Sequence, residues 1–507
     1  MRERPLLHLV NPRLEGPGIH HTFFHRFAPM ALLVLSAVAR RAGWDTLVID
    51  ENHEPIPDER PDLVAITVWT PVAVRAYDLA DRYRARGIPV VVGGVHASLL
   101  PAEAALHADA VVAGEADVVF ADVLADAAAG RLQPMYHGSW QGMDVVPRVD
   151  AYAHSYEQIP FSRYKPGHSM QTTRGCRFNC EFCSVIRING RGQRHMEPER
   201  VVEELRFRTR MPPRMPGWTW FYLLDDDLAA DLDYAAALFE ALADAKLHMR
   251  FGAQASIGLA RHPELVRLAS RAGCRQLFAG FESISREALI ECNKKNRPSE
   301  FAELIRTIHD AGIYMEGGFI FGFDHDTPDV FAETAEFVDR IGVDVAHFSI
   351  LTPLPGTHTF ARYYEQGRIV DFDWGHYNFY YPVFEPAQMT RQQLIDGQRL
   401  AFEQFYRRSW RARRFITRLG QRSPDWSLIA GYVGHSFAKE FCRDLQIVDR
   451  PAYEPPPGVL EQLLRTSRAE PNDAVATAVA QQRATVDVAM PTRLAPTSGV
   501  PTPVAGA

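Results

Sequence analysis

The chain has 507 residues, 46% of them hydrophobic and 23% charged, with a formal net charge of -7 at pH 7. That length is too great for one compact core and points to two or three domains, while the acidic balance excludes the basic excess of a dedicated nucleic-acid binder. The longest apolar run, Met30 to Ala39, is too short to span a membrane, and Met1 to Pro5 leads into a strand-like run, not a signal peptide. The expected location is the cytoplasm.

Residues 1–131 read as a doubly wound α/β domain. Strands are expected at Leu6 to Val10, Thr46 to Ile49, Leu63 to Val68, Val90 to Val92 and Ala110 to Val112. Helices fall at Met30 to Ala42, Val72 to Arg86 and Ala102 to His107. Short apolar runs separated by helices imply a parallel sheet with its ligands at the carboxyl ends of the strands. Residues 132–165 lose this rhythm and read as a linker.

A second alternating series fills residues 166–358. Its strands are Ser169 to Thr173, Thr219 to Leu224, Arg250 to Ala255, Gln276 to Phe281, Tyr314 to Phe321 and His347 to Leu351. The helices between them are Pro198 to Arg208, Leu232 to Ala245, His262 to Ala272, Pro298 to Ala311 and Pro328 to Ile341, three of them with proline in the first turn. Six such units predict an incomplete parallel barrel with its chemistry at the strand C-termini. Residues 359–450 read as an aromatic, then helical cap. Residues 451–507, Ala-, Pro-, Thr- and Val-rich toward the end, read as a disordered tail.

Of six cysteines, Cys176, Cys180 and Cys183 crowd into eight residues and Cys274, Cys292 and Cys442 are scattered. Clustering in a large chain points to metal and not to a disulfide framework. Three thiolates on a loop directly after a strand can hold three irons of a cubane and leave the fourth open. Structural zinc is the alternative; it needs a fourth ligand, for which His195 is the convenient residue. The scattered cysteines read as small apolar residues.

The run Cys176-Arg177-Phe178-Asn179-Cys180-Glu181-Phe182-Cys183, after a strand and before a helix, resembles the cluster loop of the radical S-adenosylmethionine (SAM) superfamily. Later segments resemble that family's strand-end motifs in order. These are Phe221 to Asp227, Gln254 with Ser256, Gly280-Phe281-Glu282-Ser283, Gly317 to Phe323, and Leu351 to Thr357. The resemblance implies a 4Fe-4S cluster on the three cysteines whose open iron chelates SAM, and whose reduction releases a 5′-deoxyadenosyl radical. It implies SAM contacts from Phe182, Asp225, Gln254, Ser256, Glu282, Gly322 and Leu354. By their residue types alone, the Asp225 group could instead cap the following segment, and Glu282 could form a strand-end salt bridge.

Ahead of such a barrel, the first domain, with Gly93-Gly94-Val95-His96 after a buried strand and Gly114-Glu115 after the next, is similar to the cobalamin-binding domain of the cobalamin-dependent class. The resemblance implies cobalamin contacts from Thr67, Val68, Gly93, Gly94, Val95, Gly114 and Glu115. Other cobalamin domains use an Asp-x-His-x-x-Gly loop, whereas here the first strand is followed by Asn11-Pro12-Arg13-Leu14-Glu15-Gly16. Cobalt with no histidine from that motif is therefore expected; Asp50 and His53 lack the glycine, and His20, His21, His25 and His96 read as polar loop residues. A degenerate scaffold without cofactor is the alternative for this domain.

In the cap, Trp374, Tyr377, Phe379, Tyr380 and Tyr381 offer either a substrate wall or core packing. Arg407 to Arg422, with Trp410 and Phe415, offers either an anion-binding surface or a solvated helix face. Taken together, the resemblance implies a C-methyltransferase acting on an unactivated carbon of a small molecule or lipid. The methyl would come from methylcobalamin and the electron from a donor such as ferredoxin or flavodoxin. Rivals are a cyclase or rearrangement enzyme with the same cofactors, and a non-catalytic cobalamin or redox sensor. No side chain is singled out as a catalytic acid or base.

Overall fold

Two all-parallel sheets form from these alternating runs in the computed structural model, which describes residues 3–14, 27–148, 164, 168–211, 219–407 and 452–489. The first sheet has the order β2-β1-β3-β4-β5-β6. Its strands are β1 Leu6–Asn11, β2 Asp45–Asp50, β3 Leu63–Thr67, β4 Val90–Gly93, β5 Ala110–Gly114 and β6 Met135–Gly138. Buried on both faces, β1, β3 and β4 are near-continuous apolar runs, as a covered parallel sheet requires. The helices Met30–Arg41 and Ala116–Ala128 pack together on one face.

The second sheet has the order β14-β13-β12-β11-β10-β7, with β7 His168–Met170, β10 Thr219–Leu223, β11 Met249–Gln254, β12 Cys274–Glu282, β13 Tyr314–Phe321 and β14 Val345–Ile350. Its edge strands β7 and β14 do not pair, so the barrel is open. Proline opens the helices Pro198–Arg208 and Pro263–Arg271, and Asp231 caps Leu232–Ala245 by accepting from the Asp233 and Tyr234 N–H groups, whereas the helices expected from Pro298 and Pro328 begin at Phe301 and Val330. No helix among the described residues is long and apolar enough to cross a membrane.

Three expectations need correction. The region read as a linker contains β6, which pairs with β5 and completes the first sheet; its sequence, Met-Tyr-His-Gly, has too short an apolar run to announce a strand. The strand expected at Ser169 to Thr173 ends at Met170. Thr173–Arg174 forms β8, antiparallel to β9 Arg194–His195, because the Thr172 and Thr173 N–H groups donate to the Asp225 carboxylate.

The tail, finally, is ordered at Val459–Arg468 and Ala474–Ala489. Leu463, Ala474, Val475 and Ala478 are buried there, and the second of these helices packs on the Pro101–His107 helix of the first domain. The Ala-rich stretch is a strong helix former, and its small side chains allow close approach. Buried Arg187 pins this segment to the Val185–Asn189 helix that follows the cysteines, donating to the carbonyls of Ala469, Thr466 and Ser467.

In the cap, Trp374, Tyr377 and Tyr380 are buried packing residues. Trp374 donates from Nε1 to Glu103 of the first domain at 2.9 Å. The basic stretch beyond Arg407 lies outside the described residues, as do Cys442, His20, His21 and His25.

Candidate active site

The cysteine loop is held from beneath by three consecutive aspartates at the end of β10. Asp225, fully buried, accepts from Thr172 N (2.6 Å), Thr172 Oγ1 (2.8 Å) and Thr173 N (2.6 Å). Burial raises its carboxyl to about 6. Asp226 accepts from Gly175 N at 2.8 Å and Asn189 Nδ2 at 2.9 Å, so one carboxylate ties the two ends of the cluster loop. Gly175 has φ +93°, and a Cβ there would run into the Gly192 and Asn189 carbonyls, so only glycine admits the turn. Asp225, expected to contact SAM, is thus taken up by Thr172 and Thr173.

The third aspartate differs. Asp227 Oδ1 accepts from Ser256 N (2.8 Å) and Ala229 N (3.1 Å), but buried Oδ2 has no hydrogen-bond partner. A buried carboxylate oxygen left open costs free energy unless a ligand donor completes it. It lies close enough to Cys176 and Cys180 to act on their thiols. Ser256 meets Asp227 and so joins the site, and Gln254 ends β11 half-buried beside them.

Cys180 is buried, and Cys176 and Cys183 are half-buried. Burial pushes the Cys176 and Cys183 thiols up to about 12 and also raises Cys180, with each thiol within electrostatic range of the others. Neutral, mutually adjacent thiols must lose their protons to bind metal, so cluster assembly releases protons. Among the described residues no three His, Cys, Asp or Glu side chains converge on a single ion position. Three neighbouring thiols on one loop fit a cubane, whose thiolates each hold a different iron. His195 is engaged elsewhere, stacked on Tyr234 at 4.4 Å with Nε2 3.4 Å from Asp231.

A fourth wall comes from the turn after the Arg286–Glu291 helix. Lys294 Nζ donates to Glu282 Oε1 at 2.8 Å, Asn293 Nδ2 donates to the Asn179 carbonyl at 2.8 Å, and Glu181 N donates to the Cys292 carbonyl at 3.1 Å. Sequence reasoning missed Lys294; the only signal was a lysine pair between asparagines, Asn293-Lys294-Lys295-Asn296. Of the other expected contacts, Phe182 is half-buried against the core and Leu354 lies half-buried in the turn after β14. Gly322 is buried under Phe384 and Leu394 of the cap.

At the carboxyl edge of the first sheet, Thr67, Gly93, Gly94, Val95 and Gly114 stand half-buried in a row across β3, β4 and β5, with Val68 buried behind them. Gly94, at φ +109°, lies so close to Val68 that a Cβ would sit 2.7 Å from its carbonyl oxygen, and a Cβ on Gly114 would strike Gly138. Ser98 links the turns, donating to the Gly94 carbonyl and accepting from Gly114 N. The outcome is a close-packed backbone edge at the carboxyl ends of the strands, where a parallel sheet takes its ligand, and it fits cobalamin. His96 is fully buried with Nδ1 3.2 Å from Thr70 Oγ1 and Nε2 3.0 Å from Glu103, so both nitrogens are taken. Glu115 turns from the ledge to the cluster loop: it binds Arg174 at 3.0 Å and Arg194 at 2.6 Å, and Arg174 also binds Asp117 at 2.8 Å.

Two family models match the chain: the radical SAM superfamily over residues 170–338 and the B12 binding domain over residues 18–124. The bacteriochlorophyllide d C-8(2)-methyltransferase of Chlorobaculum tepidum is 33% identical over 364 residues, 69% of this chain and 79% of that protein. The C-12(1)-methyltransferase of the same organism is 28% identical over 424 residues, 83% of this chain and 90% of that one. Among solved structures, the cobalamin-dependent S-adenosylmethionine radical enzyme OxsB with aqua-cobalamin bound shares the fold. The TM-score is 0.60 at 14% identity, covering 96% of this chain and 81% of that one.

Proposed function

The chain belongs to the radical SAM superfamily, in the class with a B12-binding domain ahead of the barrel, and from that premise we propose that it methylates an unactivated carbon of a small molecule or lipid. One observation supports this above the others: the buried Glu115–Arg174–Asp117–Arg194 network, whose carboxylates are 4% exposed, joins the glycine ledge directly to the cluster loop. A reaction that needs a radical from one sheet and a methyl group from the other requires both edges to face a common space in fixed register. A sensor would need no such register.

When bound, the cluster with SAM supplies the radical and cobalamin supplies the methyl group. This chain's residues do the holding. Asp225 and Asp226 fix the cysteine loop, and the open Asp227 Oδ2 receives the SAM ammonium, a charge-assisted contact. Gln254, Ser256 and Glu282 line the nucleoside side, and Thr67, Val68, Gly93, Gly94, Val95 and Gly114 seat the corrin. A ferredoxin- or flavodoxin-class protein delivers the electron. The curated relatives carry the names of bacteriochlorophyllide d methyltransferases, so a chlorin-type macrocycle is the first acceptor to offer.

The test is anaerobic turnover of reconstituted enzyme with methyl-deuterated SAM, a low-potential reductant and a panel of macrocycles and lipids. Label in a carbon of the product, with both S-adenosylhomocysteine and 5′-deoxyadenosine formed, is the expected result. 5′-Deoxyadenosine with an altered but unlabelled product would replace methyl transfer by cyclisation or rearrangement.

A further inference from the structure

The space around the cysteine loop is crowded with negative charge. Asp226, Asp227 and Glu282 all act on the three thiols, which become thiolates when they bind metal. Arg174 and Arg194 act on Asp226 from the domain interface. A further cation is Lys294, its side chain 16% exposed and its ammonium 2.8 Å from Glu282. The segment that presents it is strapped to the cluster loop twice, through Asn293 to the Asn179 carbonyl and through the Cys292 carbonyl to Glu181 N.

One partner of this ion pair, Glu282, has φ +68°, and Asn293, the residue before the other, has φ +55°, both in the left-handed region. A non-glycine residue holds that conformation where the surrounding structure imposes it, often at functional sites. A strand-end salt bridge of ordinary purpose needs neither the strain nor the burial.

We propose that Lys294 is the buried counter-charge of the cluster, a positioning residue whose ammonium makes entry of the reducing electron easier. The electron comes from a low-potential one-electron donor of the ferredoxin or flavodoxin class, which is oxidised by one electron as the cluster is reduced by one. No proton moves and no bond forms or breaks at Lys294, so the added negative charge has to be met by a charge already in place. In a site screened from water, a fixed cation on a segment strapped to the cluster loop stabilises that charge far more than it would in solvent. Burial opposes the ammonium, but Glu282, Cys180 and Asp227 overcome it and hold Lys294 protonated well above its usual range.

This inference rests on the cluster alone and is independent of the methyl acceptor. Its test is a redox titration of reconstituted, SAM-free protein followed by electron paramagnetic resonance, with iron counted per chain, for wild type, K294M, K294R and E282Q. In K294M the reduction equilibrium becomes about tenfold less favourable, a fall of about 59 mV for one electron. K294R restores most of the wild-type potential, and E282Q moves it upward, since the cation then lacks its compensating carboxylate. A wild-type potential in K294M, or an equal fall in K294R, overturns the proposal. Should K294M fail to retain its irons, E282Q decides: a potential unchanged or lowered there is equally fatal. A normal shift in an enzyme that transfers no methyl group would sink the function proposed above and leave this one standing.

Discussion

At the carboxyl edge of the β2-β1-β3-β4-β5-β6 sheet the chain presents backbone: Gly93, Gly94 and Gly114 in a half-buried row, knit together by Ser98. At the same edge of the barrel sheet it presents charge and sulfur: Asp225, Asp226 and Asp227 after β10, Glu282 after β12, and the three cysteines after β7. Both edges are where a parallel sheet accepts ligands. The first is shaped to seat a large cofactor that brings its own chemistry, and so needs surface without side chains. The second must build a reactive centre from small parts, and so needs buried polar groups, each with its own partner. The Glu115–Arg174 pair is the place where the two kinds of edge touch.

The sharpest way to separate them is Cys180→Ala. Loss of one of three cluster thiolates abolishes 5′-deoxyadenosine formation and most of the bound iron, while the glycine ledge is untouched. Cobalamin absorbance per chain stays at the wild-type level. Joint loss of both cofactors would mean that the two edges are not independent sites.

Arg174→Ala acts on their junction. It leaves Glu115 and Asp117 buried beside each other with one fewer cation, a change of about 3 kcal/mol for a pair this enclosed. Each cofactor still binds, but the register between them loosens. Label transfer falls about tenfold relative to 5′-deoxyadenosine released, and that ratio, read by chromatography, is the check. An unchanged ratio would remove the observation on which methyl transfer rests.

Much of this contrast was legible in the sequence. Pro198–Arg208, Leu232–Ala245 and Tyr314–Phe321 were each expected at their observed bounds, because proline, an Asp cap or a long apolar run marks them. The cysteine spacing marked the loop that follows β8, and the glycine pair marked the turn that follows β4. What stayed hidden depended on partners distant in the chain. Nothing near Asp225 says that it will be used up by Thr172 and Thr173, 53 and 52 residues away. Lys294 reaches Glu282 only because the intervening helix, Arg286–Glu291, turns the chain back. The tail was misread because alanine-rich composition suits both a disordered segment and a close-packed helix; the surfaces that decide between them, on the first domain and around Arg187, lie far away in the chain.

Gly94→Ala tests the ledge by itself. At φ +109° with Val68 O 2.7 Å from the new Cβ, the substitution costs about 1–3 kcal/mol and lifts the turn between β4 and the Val95–Leu99 helix. Cobalamin bound per chain drops severalfold with four irons retained, the mirror image of Cys180→Ala. Iron lost along with cobalamin would show that the ledge supports the barrel and not only its own ligand.

The smallest effect separates the sheets by pH. His168, on the first strand of the barrel sheet, is fully buried against Phe221. Burial, with Arg208 nearby, lowers it from 6.5 to about 4. An unfolded chain therefore binds this proton at a pH where the folded one does not, so the imidazole favours folding above pH 6.5 and that contribution is lost as pH falls toward 4. From pH 7 to 5.5 the loss is about 1 kcal/mol, since each unit of displacement is worth about 1.4 kcal/mol. Urea unfolding of the cofactor-free protein at the two pH values measures it, and His168→Phe, which keeps a ring against Phe221 without a titrating nitrogen, flattens the dependence. If the substituted protein loses as much stability on acidification as the wild type, the acid response arises elsewhere. The three aspartates cannot then be its source, because burial raises all of them and a raised carboxyl favours folding in acid.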